Sequence, residues 1–172
     1  VIGKNDNNVS RLKDDLIILD LENNNENILI EDTFSFYDLF FDNDDEIVFV
    51  ATDMEKGGIN EDAFIYKSDL LGKYKKISLD DFDKSFGNSL GSDARWESNK
   101  IFEFKNNKLY FLVTEKEESK LYSMDLNGNL NLEISGCVED FVIADENIYY
   151  LSMTENRLSH LKDKNNKSIL FD

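Results

Sequence analysis

Apolar residues along this chain come in short bursts rather than at helical spacing. The clearest bursts are EIVFVATD at Glu46–Asp53, KLYFLVTE at Lys108–Glu115 and NIYYLSMT at Asn147–Thr154. Each is rich in β-branched and aromatic residues, which suit a pleated surface packed against neighbours. No segment keeps apolar residues at i, i+3, i+4 and i+7 over the length of a helix. The pattern predicts strands throughout, and hence an all-β fold.

The surroundings of the three bursts correspond as well. Before each lies another strand and a polar turn: FYDLFF then DNDDE, IFEF then KNNK, DFVI then ADEN. After each come a polar link, a third strand (DAFIYKSD, KLYSMDLN, RLSHLKDK) and a fourth (YKKISL, LNLEIS, SILFD). The dipeptide Asn127-Gly128 predicts a hairpin, since a type I′ turn needs positive φ at both central positions. Leu109 and Ile148 lie 39 positions apart, Ile47 and Leu109 62, the extra length falling near Ser78–Lys100. A four-stranded meander repeating at about 40–50 residues is the signature of a β-propeller blade. The stretch from Val1 aligns with the back half of such a unit, so the chain is expected to open inside a blade. The expected blade segments are 1–31, 32–80, 100–135 and 137–172, with an inter-blade insertion at 81–99. That is an incomplete propeller of about three and a half blades, with Ile47, Phe49, Leu109, Phe111, Ile148 and Tyr150 in its core.

Composition narrows the range of partners. The chain has 172 residues and a net charge of −17, with no basic patch, which argues against nucleic acid and against an anionic membrane surface. At 41% hydrophobic and 12% aromatic it is too apolar for a disordered acidic segment. No apolar run approaches the roughly 20 residues that span a bilayer. A single cysteine leaves no internal disulfide and suits a reducing, cytoplasmic compartment. The abundance of Asn, Lys and Ile is the residue usage of an AT-rich bacterial genome.

Three stretches carry a family resemblance: FVATDMEKGGINEDAFIY at Phe49–Tyr66, GNSLGSDARW at Gly87–Trp96 and GCVEDFVIADENIYYLS at Gly136–Ser152. In their order they resemble the propeller domain of the prolyl oligopeptidase family of serine peptidases. The likeness is to its acylaminoacyl-peptidase-like and dipeptidyl-aminopeptidase-like branch. It covers most of Asp32–Ser152; the first blade and the last 20 residues match only as generic blade pattern. The resemblance implies a propeller that caps an α/β-hydrolase domain and gates the access of peptides to it. It also implies that the catalytic residues lie in that following domain, so this chain is expected to be a non-catalytic fragment. A propeller scaffold for protein binding, with no attached enzyme, is the alternative.

Candidate chemistry within the chain is thin. Gly87-Asn88-Ser89-Leu90-Gly91 is a literal G-x-S-x-G, and His160 follows it with acids between. In hydrolases that serine sits on a strained turn between a strand and a helix. The flanks LDDFDKSF and SDARWESNK form neither, so Ser89 reads as a loop residue and His160 as a strand residue. One histidine and one cysteine do not make a zinc site, and Cys137 reads as a small buried apolar residue. Asp125-Leu126-Asn127-Gly128-Asn129 starts like a calcium loop but lacks glycine at the sixth position, where Leu130 stands, and the closing acid. Asp42–Glu46 reads as a solvated turn, Lys73–Lys76 as too short for a basic patch, and Arg95 and Trp96 as packing for the insertion. Arg11 and Arg157 have no distinguishing context. No catalytic, cofactor-binding or metal-binding residue is therefore expected. Open blade faces at both ends predict self-association, and two copies of three and a half blades would complete a ring of seven.

Overall fold

The computed structural model describes residues 2–3, 12–42, 45–79, 82, 84–90, 100–153 and 159–169. Their secondary structure is antiparallel strands and one 3-10 turn at Gly58–Asn60, with no α-helix among the described residues. The chain divides into two compact units, Val1–Asp83 and Lys84–Asp172.

In the first unit the strands are β1 (Ile2–Gly3), β2 (Asp14–Asp20), β3 (Asn25–Phe41), β4 (Ile47–Thr52), β5 (Phe64–Ser68) and β6 (Tyr74–Lys76), hydrogen-bonded in that order. The 17-residue β3 serves two sheets in succession. Its first part pairs with β2 as far as Asp14↔Phe34, and its second part pairs with β4 from Ser35↔Thr52 onward. The last strand of one blade thus runs straight into the first strand of the next. Where it changes sheet, Asp32 takes a φ of 44° and its amide donates to Oδ1 of the buried Asp15 at 2.8 Å. Across this passage Leu16, Ile30 and Phe34 pack on Ile47, Phe49, Ala51 and Tyr66. The Phe34 ring meets Phe49 and Tyr74 edge-on at 5.5 and 5.1 Å.

The second unit holds β7 (Phe102–Lys105), β8 (Lys108–Glu115), β9 (Glu118–Asp125) and β10 (Leu130–Ile134) in one sheet. Strands β11 (Val138–Ala144), β12 (Asn147–Ser152) and β13 (His160–Asp163) form the other, and Ser168 bridges to Lys162 beside it. Between these two sheets lie Tyr110, Leu112, Leu121 and Ile134 on one side and Val138, Phe141, Ile143, Ile148 and Tyr150 on the other. Burying each such side chain contributes about 1.5–3 kcal/mol. All six core residues expected from the repeat are at least 95% buried. Cys137 is not buried: it is half-exposed, just ahead of β11, because its neighbour Val138 takes the core position.

One turn recurs between third and fourth strands. Asp20, Asp69, Asp125 and Asp163 end the third strands or directly follow them, and each aspartate Oδ1 accepts amides two and three or four residues on. The residue that reverses the chain has positive φ: Asn24 at 53°, Gly72 at 80°, Gly128 at 87° and Asn166 at 63°. This side-chain acceptor replaces backbone partners that a tight bend removes. The hairpin at Asn127-Gly128 is present, but it is not the expected type I′ turn: only Gly128 has positive φ. The Asp125 carboxylate holds three residues between the paired positions instead of two, with Asp125 N donating to Asn129 O at 3.2 Å. A two-residue type I′ turn does occur at Asn106-Asn107, both at positive φ.

Two consequences can be measured. A Cβ on Gly72 would overlap the Leu29 carbonyl, besides taking an unfavourable φ, whereas one on Gly58 meets open space at a φ of 61°. Gly72→Ala should therefore lose at least about 2 kcal/mol in urea unfolding and Gly58→Ala about 1 kcal/mol. Equal losses would show that the Leu29 contact does not matter. Asp125 is held below the usual carboxylate range by the Asn129 side chain and then by backbone amides. Its folded pKa being depressed, its contribution is complete above the ordinary carboxylate pKa and is lost as pH falls through the folded value. The stability gap between wild type and Asp125→Asn should shrink on acidification, as followed by thermal melts; a pH-independent gap would mean the charge plays no part.

Candidate functional site

The first strands β7 and β11 are edge strands, with backbone groups that no ladder partner takes. At β11 the side chains of its neighbours take them. Lys100 Nζ donates to Phe141 O at 3.0 Å and Lys105 Nζ to Ile143 O at 2.8 Å, while Ile143 N donates to Glu103 Oε2 at 3.1 Å. Lys100 and Glu103 are themselves paired at 2.6 Å, and Lys100 stands over the Phe141 ring. Farther along, Ser119 Oγ and Asn88 Nδ2 both donate to Val138 O, at 2.8 and 3.2 Å. A seam of alternating charge thus joins the first strands of these two blades. Buried edge groups left unpaired would be costly, which explains charged residues at positions that are only partly exposed.

The first strand of the third blade is also interrupted. Phe86 bridges Val113, Gly87 N donates to Leu112 O at 2.8 Å, and Leu112 N donates to Ile101 O at 3.1 Å. Residues 86–87 and 101–105 therefore line the same side of β8, and the chain makes an excursion between them. Part of the 81–99 stretch expected to link blades is accordingly sheet. The excursion leaves where the other blades carry a β-bulge. In β3 the bulge is Tyr37, between the pairs Phe36↔Ala51 and Asp38↔Val50; in β11 it is Glu139, between Val138↔Ser152 and Asp140↔Leu151. Both bulges are held alike, Asp38 and Asp140 each accepting the next residue's amide at 2.8 and 2.7 Å. Glu139 is buried; it accepts from Ser159 Oγ through one oxygen, and the other has no partner among the described residues.

The sequence-level candidates fall as follows. Ser89 is exposed, its amide held by Thr114 Oγ1 at 2.9 Å in a segment that pairs antiparallel with β8, not on a strand-to-helix turn. His160 is exposed on β13 and pairs with Ser152, and no hydrogen bond joins it to Ser89. Asp125 serves its turn. Asp42 and Glu46 close a hairpin through Asp42 N to Glu46 O at 2.8 Å, with Glu46 paired to Lys67. Lys76 stands over the Phe64 ring. Gly91, Arg11, Arg95, Trp96, Arg157, Asn43 and Asp44 lie outside the described residues. Among the described residues no three His, Cys, Asp or Glu side chains converge as a metal site would require.

Two concavities flank the fourth sheet. One, of about 250 Å³, is lined by Glu133, Tyr150, Ser152, Lys162 and Lys164 among others. Burial pushes the Glu133 carboxyl up, but bonds from Lys164 and Ser123 outweigh it and hold the group below its usual range. Burial and the Asp163 charge raise the Tyr150 phenol. The other, of about 230 Å³, is an open apolar groove on the far face of the sheet.

Solved structures share this architecture. The chain matches an acylaminoacyl peptidase of Pyrococcus horikoshii at 24% identity and a TM-score of 0.68, over 100% of this chain and 25% of that one. It matches the β-propeller domain of the Trilobed protease from Pyrococcus furiosus at 23% and 0.65, over 91% of this chain and 42% of that domain's chain. The fold is an incomplete β-propeller. An acylaminoacyl peptidase in complex with Z-Gly-Gly-Phe-chloromethyl ketone is similar at 25% identity and a TM-score of 0.67, over 95% of this chain and 23% of that one. The chain thus spans about a quarter of the acylaminoacyl peptidases it matches. No protein-family model matches the sequence, nor does any curated protein.

The seam was not foreseen in the sequence; its trace there is Lys100, Glu103 and Lys105 flanking an apolar strand. Glu103→Ala leaves both Lys100 and the Ile143 amide without this acceptor and should lose about 1–3 kcal/mol. Glu103→Gln, which keeps an acceptor for the amide, should lose less. Urea midpoints at unchanged slope decide it, and equal losses for the two variants would assign the effect to charge alone.

Proposed function

We propose that this chain is a non-catalytic propeller segment of an acylaminoacyl-peptidase-like serine peptidase, restricting which peptides reach a hydrolase domain carried elsewhere in the protein. The observation that carries the reading is the match to an acylaminoacyl peptidase at 25% identity over 95% of this chain but 23% of that chain. Fold likeness alone does not establish function, so the local chemistry must agree. What supports the reading locally is a row of charges along the first strands β7 and β11. In propellers those strands face the central channel. Gly87 and Ile101 both bond to Leu112 at this edge, and the residues that join them in sequence are the ones we propose to meet a peptide on its way through.

The test uses the full product of the gene. A fluorophosphonate probe should label a serine outside residues 1–172, and Ser89→Ala should leave labelling unchanged. Replacing 90–99 by a short Gly-Ser link should raise kcat/KM for longer N-acyl peptides several-fold relative to short ones. Labelling lost in Ser89→Ala would make this chain itself catalytic. A product with no labelled serine would favour the binding scaffold, and unchanged length selectivity would remove the gating role.

A further inference from the structure

The blades repeat an aromatic pair at one register position, and one blade breaks it. In the second blade Phe49 of β4 pairs across strands with Tyr66 of β5, and the rings stack at 5.3 Å. In the third, Phe111 of β8 pairs with Tyr122 of β9, and the rings stack at 6.2 Å. The same position in the fourth blade holds Tyr150 of β12 and, opposite it on β13, Lys162. A lysine thus stands where two blades carry a tyrosine, and among the described residues no ring stacks on Tyr150. At this position lies the 250 Å³ concavity. Glu133 and Ile134 of β10 border it on one side, Tyr150, Ser152, Lys162 and Lys164 on the other. Both sides belong to the second compact unit.

Its polar groups are engaged with one exception in charge. Glu133 is held by Lys164 at 2.5 Å and by Ser123 Oγ at 2.8 Å, and Tyr150 Oη donates to Asn166 Oδ1 at 3.2 Å. Lys162 is half-buried, yet among the described residues no carboxylate pairs with it, in a chain of 36 acidic residues. An ammonium with incomplete hydration attracts an anion more strongly than a fully exposed one does. We propose that this concavity binds a small aromatic acid, whose ring takes the place of the absent tyrosine beside Tyr150 and whose carboxylate pairs with Lys162. A cavity of about 150 Å³ already holds benzene, so a ring with a short acidic arm has room. The flexible lysine stem can turn aside to admit the ring while keeping its charge on the acid. The net charge of −17 does not prevent this, because charges beyond about 8 Å are screened at physiological salt and a contact pair is not. The proposal stands apart from the peptidase reading and does not depend on it.

Calorimetric titration of the full product of the gene with para-hydroxyphenylacetate, whose ring is that of tyrosine, tests the proposal. The wild type should bind it saturably. Lys162→Met, which keeps the stem and removes the charge, should bind about tenfold more weakly. Lys162→Tyr, which restores the pair of the other blades, should lose this binding and, without ligand, melt no lower than the wild type. Para-cresol, without the charge, should bind about tenfold more weakly, and cyclohexylacetate, without the aromatic face, several-fold more weakly. No binding by the wild type overturns the proposal. So does binding unchanged in Lys162→Tyr, which would put the acid elsewhere on the protein. Equal affinity in Lys162→Met or for para-cresol would overturn the pairing with Lys162, and equal affinity for cyclohexylacetate the role of the ring. A lower melting temperature for Lys162→Tyr would show that no ring's place is vacant there, and the proposal would fall.

Discussion

The second strands β4 and β8 are buried on both faces, and most of the architecture follows from that constraint. In β4 all six residues are buried, and in β8 five in succession are. Such a strand cannot lie on the surface of a two-layer protein, because one face would always meet water. It needs a packed layer on each side, which stacked sheets supply in a propeller. The alternating positions divide the work. Phe49 and Phe111 stack across to Tyr66 and Tyr122 on one face, at 5.3 and 6.2 Å, while Val48, Val50, Tyr110 and Leu112 occupy the other. In the fourth sheet the corresponding face carries Tyr149 and Leu151 and borders a groove.

Stacking faces leaves a second problem at the edges. The first strands β7 and β11 come close without forming a ladder, so their outward amides and carbonyls need partners. Here those partners are the ends of long charged side chains. Glu103 and Lys105 of β7, with Lys100 just ahead of it, extend to three backbone atoms of β11, and Asn106 Nδ2 reaches Asp145 O at 3.4 Å. Hydrogen bonds with a charged partner are stronger than neutral ones, and they position the two blades as well as satisfying the edge. The same groups that hold the seam therefore determine the electrostatic character of the surface along it.

The sequence made the strands legible because period-free apolar runs of six to eight residues have few other uses. The fold class followed from their spacing, and the core positions from aligning Ile47, Leu109 and Ile148. The turns were less legible. Asn127-Gly128 suggested a type I′ hairpin, whereas the Asp125 carboxylate selects a three-residue loop with only Gly128 at positive φ. The pattern of an aspartate followed three or four residues later by Gly or Asn stands in all four blades and was available to a reader of the sequence. Burial of Cys137 was misjudged because strand starts alternate, and Val138 rather than Cys137 faces inward. The seam was the least visible part. Its bonds span separations of 38 to 41 residues and depend on which strands become edges, which no local pattern encodes.

The bulge position shows how such a fold accommodates different functions. Tyr37, Glu139 and the whole stretch between Gly87 and Lys100 occupy equivalent places in three blades. A bulged residue stands outside the ladder, so its identity is free of the pairing that fixes its neighbours. An aromatic ring, a buried carboxylate and the 13 residues between Gly87 and Ile101 are all accepted while the flanking pairs keep their register. The packing faces lack this freedom, because a polar group there would sit between two sheets. At this first-strand position the three blades differ while their second-strand packing faces repeat. Substitutions at these positions should therefore leave the stack of sheets beneath them unaltered.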